Sequence, residues 1–166
     1  MSEIRNPRDL FLHELGDVLY VEAKLEQEVL PKLIGEVTDD ELRKGLERHL
    51  EQTRSHVENV EAVFELLGEQ PTAEECIGFE GLKKEQEKLV EEASENLIDL
   101  VNTGAAARTE HYEIAAYSGL IEMARALGEQ NAVTLLDENL KSEKETLRQV
   151  ESIEKTMRDE LKAATS

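Results

Sequence analysis

Three glutamates, Glu22, Glu113 and Glu143, occupy positions where leucines are expected. Each falls at or close to the centre of the apolar stripe of a long predicted helix. A carboxylate that stays ionised in an apolar interior is costly unless a cation or a hydrogen-bond donor compensates it. Several carboxylates aimed into one bundle interior are the means by which helical bundles hold metal ions. The chemistry these residues suggest is therefore cation binding.

Phasing each helix at about 100° per residue enlarges the set. In the first helix Glu26 lies one turn beyond Glu22 and also faces inward, while Glu14, Asp17 and Glu28 sit to the side. In the second, Thr53 is near the stripe centre, His49 and His56 flank it, and Glu51 points the opposite way. In the fourth, Glu110 and Glu113 straddle the stripe, with Tyr117 one turn on. In the fifth, Glu143 is central, Asn139 is inward and Thr146 is near the edge. The candidate metal ligands are thus Glu22, Glu26, His49, His56, Glu110, Glu113 and Glu143.

Carboxylate and imidazole ligands suit iron, manganese or zinc. In a di-iron bundle, two helices each give one Glu and two others each give Glu-x-x-His. Glu22 and Glu113 fit the single-Glu roles. Glu143 heads a motif that ends in Thr146 instead of His, and Thr53-x-x-His56 has the His without the Glu. Neither copy is complete. Plainer roles exist for several of these residues. Glu26 and Glu110 could orient ligands without binding metal. His49 and His56 could be boundary histidines. Thr53 could be a core threonine bonded back to its helix, and Tyr117 an ordinary core residue whose hydroxyl needs a partner. His13 and His111 fall off the stripe and read as surface residues.

The elements that must position these side chains follow from punctuation and periodicity. Asn6 is a good N-cap and Pro7 a good first helical residue. Leucines and valines then recur at helical spacing to Leu33, with Pro31 expected to bend or fray the last turn and Gly35 to end it. Thr38-Asp39-Asp40-Glu41 has the form of a capping box opening a second helix that ends near Gly68. Glu69 to Gly78 reads as a loop that includes Cys76. A third helix, from about Phe79 to Leu100, has a sparser apolar face and is expected on the outside of the bundle. Asn102-Thr103-Gly104 reads as a break before a fourth helix, which Gly128 terminates. The fifth starts near Glu129. Two long hairpins joined by a connection that contains the third helix predict an all-α, ferritin-like four-helix bundle with an additional helix in the long crossover. The length suits one domain over residues 1–166.

Composition supports the same class. Aromatics make up 4% of the 166 residues, Trp is absent and there are three prolines, as suits long uninterrupted helices. The formal charge of −19 argues against nucleic acid and against an anionic membrane surface as partners. A solvated helical exterior accounts for it. A salt-rich cytoplasm is the other source, for which unfolding at low salt and recovery in concentrated KCl is the test. Cys76 is the single cysteine. It can form neither an intrachain disulfide nor a thiolate metal site, which fits a reduced compartment. No apolar run approaches transmembrane length and no signal-like segment opens the chain, so a soluble, cytoplasmic protein is expected.

The chain resembles the YciE/YciF-type bacterial stress proteins, a branch of the ferritin-like superfamily. The resemblance is carried by Asn6 to Leu33, including Asp17, Glu22 and Leu30-Pro31-Lys32; by His49-Leu50-Glu51-Gln52-Thr53; by Glu110-His111-Tyr112-Glu113-Ile114-Ala115-Ala116-Tyr117; and by Ser142-Glu143-Lys144. The helix-four run is the most specific of these. The resemblance covers nearly the whole chain and implies a rubrerythrin-like bundle, a homodimer, a dinuclear metal centre and a role in stress response. Family members can carry Glu-x-x-His from the position of Glu51. Arg54 stands in place of that His and Glu51 turns outward, so this pair is not carried over. The electron-transfer role of rubrerythrin is not implied either, because its rubredoxin module needs four cysteines.

The leading expectation is a ferritin-like protein with two iron ions, or one iron and one manganese, held by Glu22, Glu113 and Glu143 with His49 or His56 assisting. Oxidation of ferrous iron or consumption of peroxide would be its chemistry. The alternative is a non-catalytic bundle with a degenerate site, acting as a structural or partner-binding stress protein. A single structural zinc is a third reading.

Overall fold

The computed structural model describes residues 4–164. Helix α1 spans Pro7–Lys24, followed by a π turn at Leu25–Val29 and by α2 at Leu30–Glu36. Helix α3 spans Asp40–Leu66, α4 Ile77–Glu92, α5 Ile98–Leu127 and α6 Gln130–Ala164, with a 3-10 turn at Glu95–Leu97. Among the described residues there is no strand. α1 packs on α3 and α5, and α6 packs on the same two helices, so the four close into a ring. α4 lies in the crossover between the two hairpins and packs on α5. This is the expected all-α bundle with an extra helix in its long connection.

Local signals account for most of the ends. The Asn6 side chain accepts the Asp9 N–H at 2.9 Å, and Pro7 opens α1. Gly68 and Gly128 adopt φ of 75° and 79°. In each case the following residue's N–H reaches back into the helix, Glu69 to the Phe64 carbonyl at 3.0 Å and Glu129 to the Ala124 carbonyl at 2.9 Å. These are Schellman caps, for which a residue free of Cβ strain is best.

Three expectations about element ends are corrected. Pro31 does not fray the first helix. Helical structure continues to Glu36, and the distortion appears upstream, where the Leu30 N–H reaches the Leu25 carbonyl. Pro31 has no N–H to offer the carbonyl four residues back, and a widened turn relieves that conflict. The capping box at Thr38 does not form. Asp39 is the N-cap, accepting the Leu42 N–H at 2.7 Å, and the Thr38 hydroxyl donates to Asp99 at 2.6 Å. Asn102-Thr103-Gly104 does not break a helix either. The break lies at Ala93 and Ser94, both extended, and α5 runs through the predicted boundary. Tertiary partners override local propensity there. Asn102 is buried and accepts from Gln86 of α4 at 2.8 Å, and Thr103 is buried with its hydroxyl on the Asp99 carbonyl at 2.5 Å.

The loop after α3 is tied to α1. The Glu74 N–H donates to the Gly16 carbonyl at 3.0 Å. A Cβ at Gly16 would lie 2.8 Å from the Thr72 carbonyl oxygen, so only glycine admits this approach. The contact brings Cys76 and Phe79 into the core, where both are buried.

Two apolar clusters fill the bundle. One includes Phe11, Leu15, Val60, Phe64 and Leu136, the other Val21, Leu25, Leu42, Phe79 and Ile153. Between them lies a polar layer. Along α3, Leu46 belongs to the second cluster and Val60 to the first, and His49, Thr53 and His56 fall between. Along α6, Leu140 and Ile153 bracket Glu143 in the same way.

Candidate metal centre

All four bundle helices contribute to the polar layer. α1 supplies Glu22, α3 supplies His49 and His56, α5 supplies Glu110 and Glu113, and α6 supplies Glu143; all six are buried. Their ligand atoms gather in two groups. His49, Glu110, Glu113 and Glu143 form one, and Glu22, His56 and Glu143 the other, with the atoms of each within 4.8 Å of one another. Glu143 belongs to both, which is the position of a carboxylate able to bridge two cations.

The close contacts pair imidazoles with carboxyl groups. His49 Nε2 lies 3.1 Å from Glu110, and His56 Nδ1 lies 3.3 Å from Glu22 and 2.8 Å from Glu143. Hydrogen bonding nevertheless leaves many of the ligand atoms unused. His49 Nδ1, Glu22 Oε2, Glu110 Oε2, Glu143 Oε2 and both oxygens of Glu113 are buried without a hydrogen-bond partner among the described residues, while His56 Nδ1 and Glu143 Oε1 face each other at 2.8 Å. Buried polar atoms in native proteins are nearly all satisfied. A shared cation would satisfy these orphans together.

Electrostatics leads the same way. Burial pushes the carboxyl groups of Glu22 and Glu143 up, Glu113 well above the ordinary carboxylate range and Glu110 to about 8. Like charges on neighbouring glutamates add to the rise at Glu113. His56 is opposed by burial, yet the carboxylates of Glu22 and Glu143 raise it to about 10. Burial lowers His49. Without a cation this layer holds protons, and a cation would have to displace them.

Tyr117 and Asn139 brace the centre. The Tyr117 hydroxyl donates to Glu22, and the Asn139 amide donates to Tyr117 Oη at 3.0 Å and to the His56 carbonyl at 3.2 Å. Asn59 donates to Asn139 at 2.8 Å, extending the chain toward the surface. One end of Glu22 and the backbone of His56 are fixed in this way, as outer partners of metal ligands commonly do. Tyr117 therefore has the hydroxyl partner that its burial requires.

Six of the seven candidate residues are brought together. The seventh, Glu26, is not: it sits in the π turn, part-exposed, with Arg54 at 3.7 Å. The widened turn rotates it off the phase that a regular helix would give. The Thr53 hydroxyl does not bond back to its helix but is buried without a partner. His111 is exposed on the surface and His13 part-exposed, and Glu51 is exposed beside Arg54. Cys76 lies in the loop before α4 and is buried, with its sulfur 2.8 Å from the Tyr112 hydroxyl, a pairing that sequence reasoning missed.

The donor count resolves the incomplete motifs. A di-iron bundle needs four glutamates and two histidines. The two groups here contain Glu22, Glu110, Glu113, Glu143, His49 and His56. The set is the same and its distribution differs, with both histidines on α3 seven residues apart and two glutamates on α5 three apart.

Residues 6–162 match the family described as Domain of unknown function (DUF892). Protein YciF of Escherichia coli (strain K12) is 34% identical over 140 residues, covering 83% of this chain and 84% of that protein. The crystal structure of the E. coli stress protein YciF superposes with a TM-score of 0.87 at 29% identity, over 94% of this chain and 99% of that one. YcfI from Rhodopseudomonas palustris, put forward as a structural protein, superposes with a TM-score of 0.86 at 36% identity, over 90% and 96%. Fold, sequence and extent agree, and the chain belongs to the DUF892 family, that of the YciF-type stress proteins.

Proposed function

We propose that this chain is a ferritin-like stress-response protein that binds two metal ions, both iron or one iron and one manganese, in its polar layer. The observation that carries the reading is the cluster of six buried donors, many of their atoms unpartnered, arranged around the shared Glu143. Glu22 and His56 would hold one ion, and His49, Glu110 and Glu113 the other. Four carboxylates balance the charge of two divalent cations, which removes the cost of burying either set alone. Tyr117 and Asn139 keep Glu22 and His56 in place. When bound, such a pair supplies two electrons, enough with two protons to reduce one dioxygen to hydrogen peroxide or one peroxide to two waters. The surrounding apolar clusters keep bulk water from the layer.

Metal analysis of protein purified without chelator, and again after anaerobic reconstitution with ferrous iron, tests the reading. About two ions per chain are expected. Near-zero stoichiometry after reconstitution would sink it, and one colourless zinc per chain would replace it with a structural site.

The description of the R. palustris relative favours a second reading, a non-catalytic bundle that serves a structural role. It predicts no metal uptake at all. We further infer a cytoplasmic homodimer with neither nucleic acid nor membrane as partner. The charge of −19 supports the last two points, and among the described residues no helix is long and apolar enough to cross a membrane. Sedimentation at micromolar concentration tests the dimer.

A further inference from the structure

The six donors leave unexplained a cavity of about 60 Å³ that reaches two of them, His49 and Glu110. Its walls are mainly apolar. The π turn contributes Leu25 and Val29, α3 contributes Leu46, and Phe79, Ala106 and Ile153 come from α4, α5 and α6. The space exists because small residues stand where bulkier ones would fill it. Gly45 and Ala105 line it beside Ala106, and a Cβ at Gly45 would meet only Ile153, at 3.7 Å.

The polar side chains around the cavity are already engaged. Thr109 and Thr146 donate to their own helices, to the Ala105 and Ser142 carbonyls, both at 3.2 Å. Lys83 pairs with Glu80 at 3.1 Å, Gln86 donates to Asn102 at 2.8 Å, and Gln149 accepts from Arg48 at 3.0 Å. The atoms left over are His49 Nδ1 and Glu110 Oε2, which belong to the candidate metal centre. Away from those two atoms, an anionic or strongly hydrogen-bonding ligand would meet only polar groups that already have partners. The volume is several times the roughly 10–15 Å³ that admits one water, so size alone does not exclude water, but a buried water needs two to four polar partners. The volume is less than half the roughly 150 Å³ of a cavity that holds benzene, so a smaller ligand is indicated.

We propose that this cavity is a binding site for a small, uncharged, apolar molecule of the size of dioxygen, held beside His49 and Glu110. Its purpose rests on the metal reading, since the molecule would be the oxidant delivered to the centre. Its existence does not.

Xenon is the probe, because dry apolar cavities bind it. Crystals of the metal-free protein pressurised with xenon are expected to show the gas between Leu46, Ala106 and Ile153. The Ala106→Phe variant, or Ala106→Met where the larger ring prevents folding, is expected to lose that peak. Ordered waters filling the wild-type cavity, with no xenon, would overturn the proposal. In protein loaded with ferrous iron, the filled variant is expected to keep its metal and to be oxidised by dissolved dioxygen several-fold more slowly. An unchanged rate in a variant whose cavity is seen to be filled would overturn the assigned role. Failure of the wild type to take up metal would defeat the functional reading while the xenon result still decided the cavity.

Discussion

The apolar layer around Phe11, Leu15, Val60 and Leu136 and the polar layer around Glu143 are built from the same four helices, one or two turns apart. They contribute to the fold with opposite sign. In the first, every side chain removed from water adds stability, about 25 cal/mol per Å² of apolar surface. In the second, burial favours the protonated forms of Glu110 and Glu113 and leaves oxygens unpartnered. The apolar layers hold the helices in place, and the polar layer makes use of that placement. The difference shows where a bundle can carry costly groups: midway along the helices, with a packed cluster on either side.

Removing the shared ligand should have the largest effect on binding. Glu143→Gln is expected to abolish tight binding at both positions, because Glu143 belongs to both groups. Chelator competition measures this, and retention of one tight ion would show that the groups are independent. Leu136→Ala attacks the apolar layer instead. Leu136 is fully buried, so a loss of about 2–5 kcal/mol in denaturant unfolding is expected, equal with and without metal. Tyr117→Phe sits at the boundary of the two layers. It removes the hydrogen bonds to Glu22 and from Asn139, and about a tenfold loss of metal affinity is expected, as for outer partners generally.

The smallest effect is a slope with pH in the metal-free protein. Glu110 is raised to about 8 and His56 to about 10 in the folded state. A group with a raised pKa contributes stability below its unfolded value and loses it as pH rises through the folded one. Glu110 therefore makes the metal-free protein less stable as pH climbs from 4.5 to about 8, and His56 as it climbs from 6.5 to about 10. The lowered His49 acts in the opposite sense, but only below its ordinary value of 6.5. Denaturation midpoints measured across this range should fall, and Glu110→Gln should flatten the fall. The loaded protein should lack it, since metal binding requires the deprotonated carboxylates.

Much of this was legible in the sequence, for reasons that differ by residue. Asn6, Gly68 and Gly128 mark helix ends because their effects are local, a side-chain cap and a left-handed turn. The inward phase of Glu22, Glu113 and Glu143 follows from helical periodicity alone. Glu26 was misplaced because a π turn shifts the phase, and a widened turn leaves no periodic signal. Asn102-Thr103-Gly104 has the composition of a break, yet Gln86 and Asp99, reached only through the fold and the helix itself, hold it helical. The completeness of the donor set was hidden for the same reason. A search for Glu-x-x-His asks each helix to carry a mixed pair, whereas here α3 carries both histidines and α5 carries two glutamates, and only the packing of α3 against α6, and of α6 against α5, joins them.

The central claim is that the buried carboxylates serve a cation and cost stability in its absence. Glu113, with both oxygens unpartnered, tests it most directly. Denaturant unfolding of the wild type and of Glu113→Leu would be compared, each metal-free and with excess ferrous iron under anaerobic conditions. Without metal, the variant is expected to be more stable than the wild type by about 1–3 kcal/mol, the penalty of a buried polar group left without hydrogen-bond partners. With iron, the wild type is expected to gain stability and the variant to gain less. A wild type indifferent to iron, together with a variant less stable than it, would contradict the account.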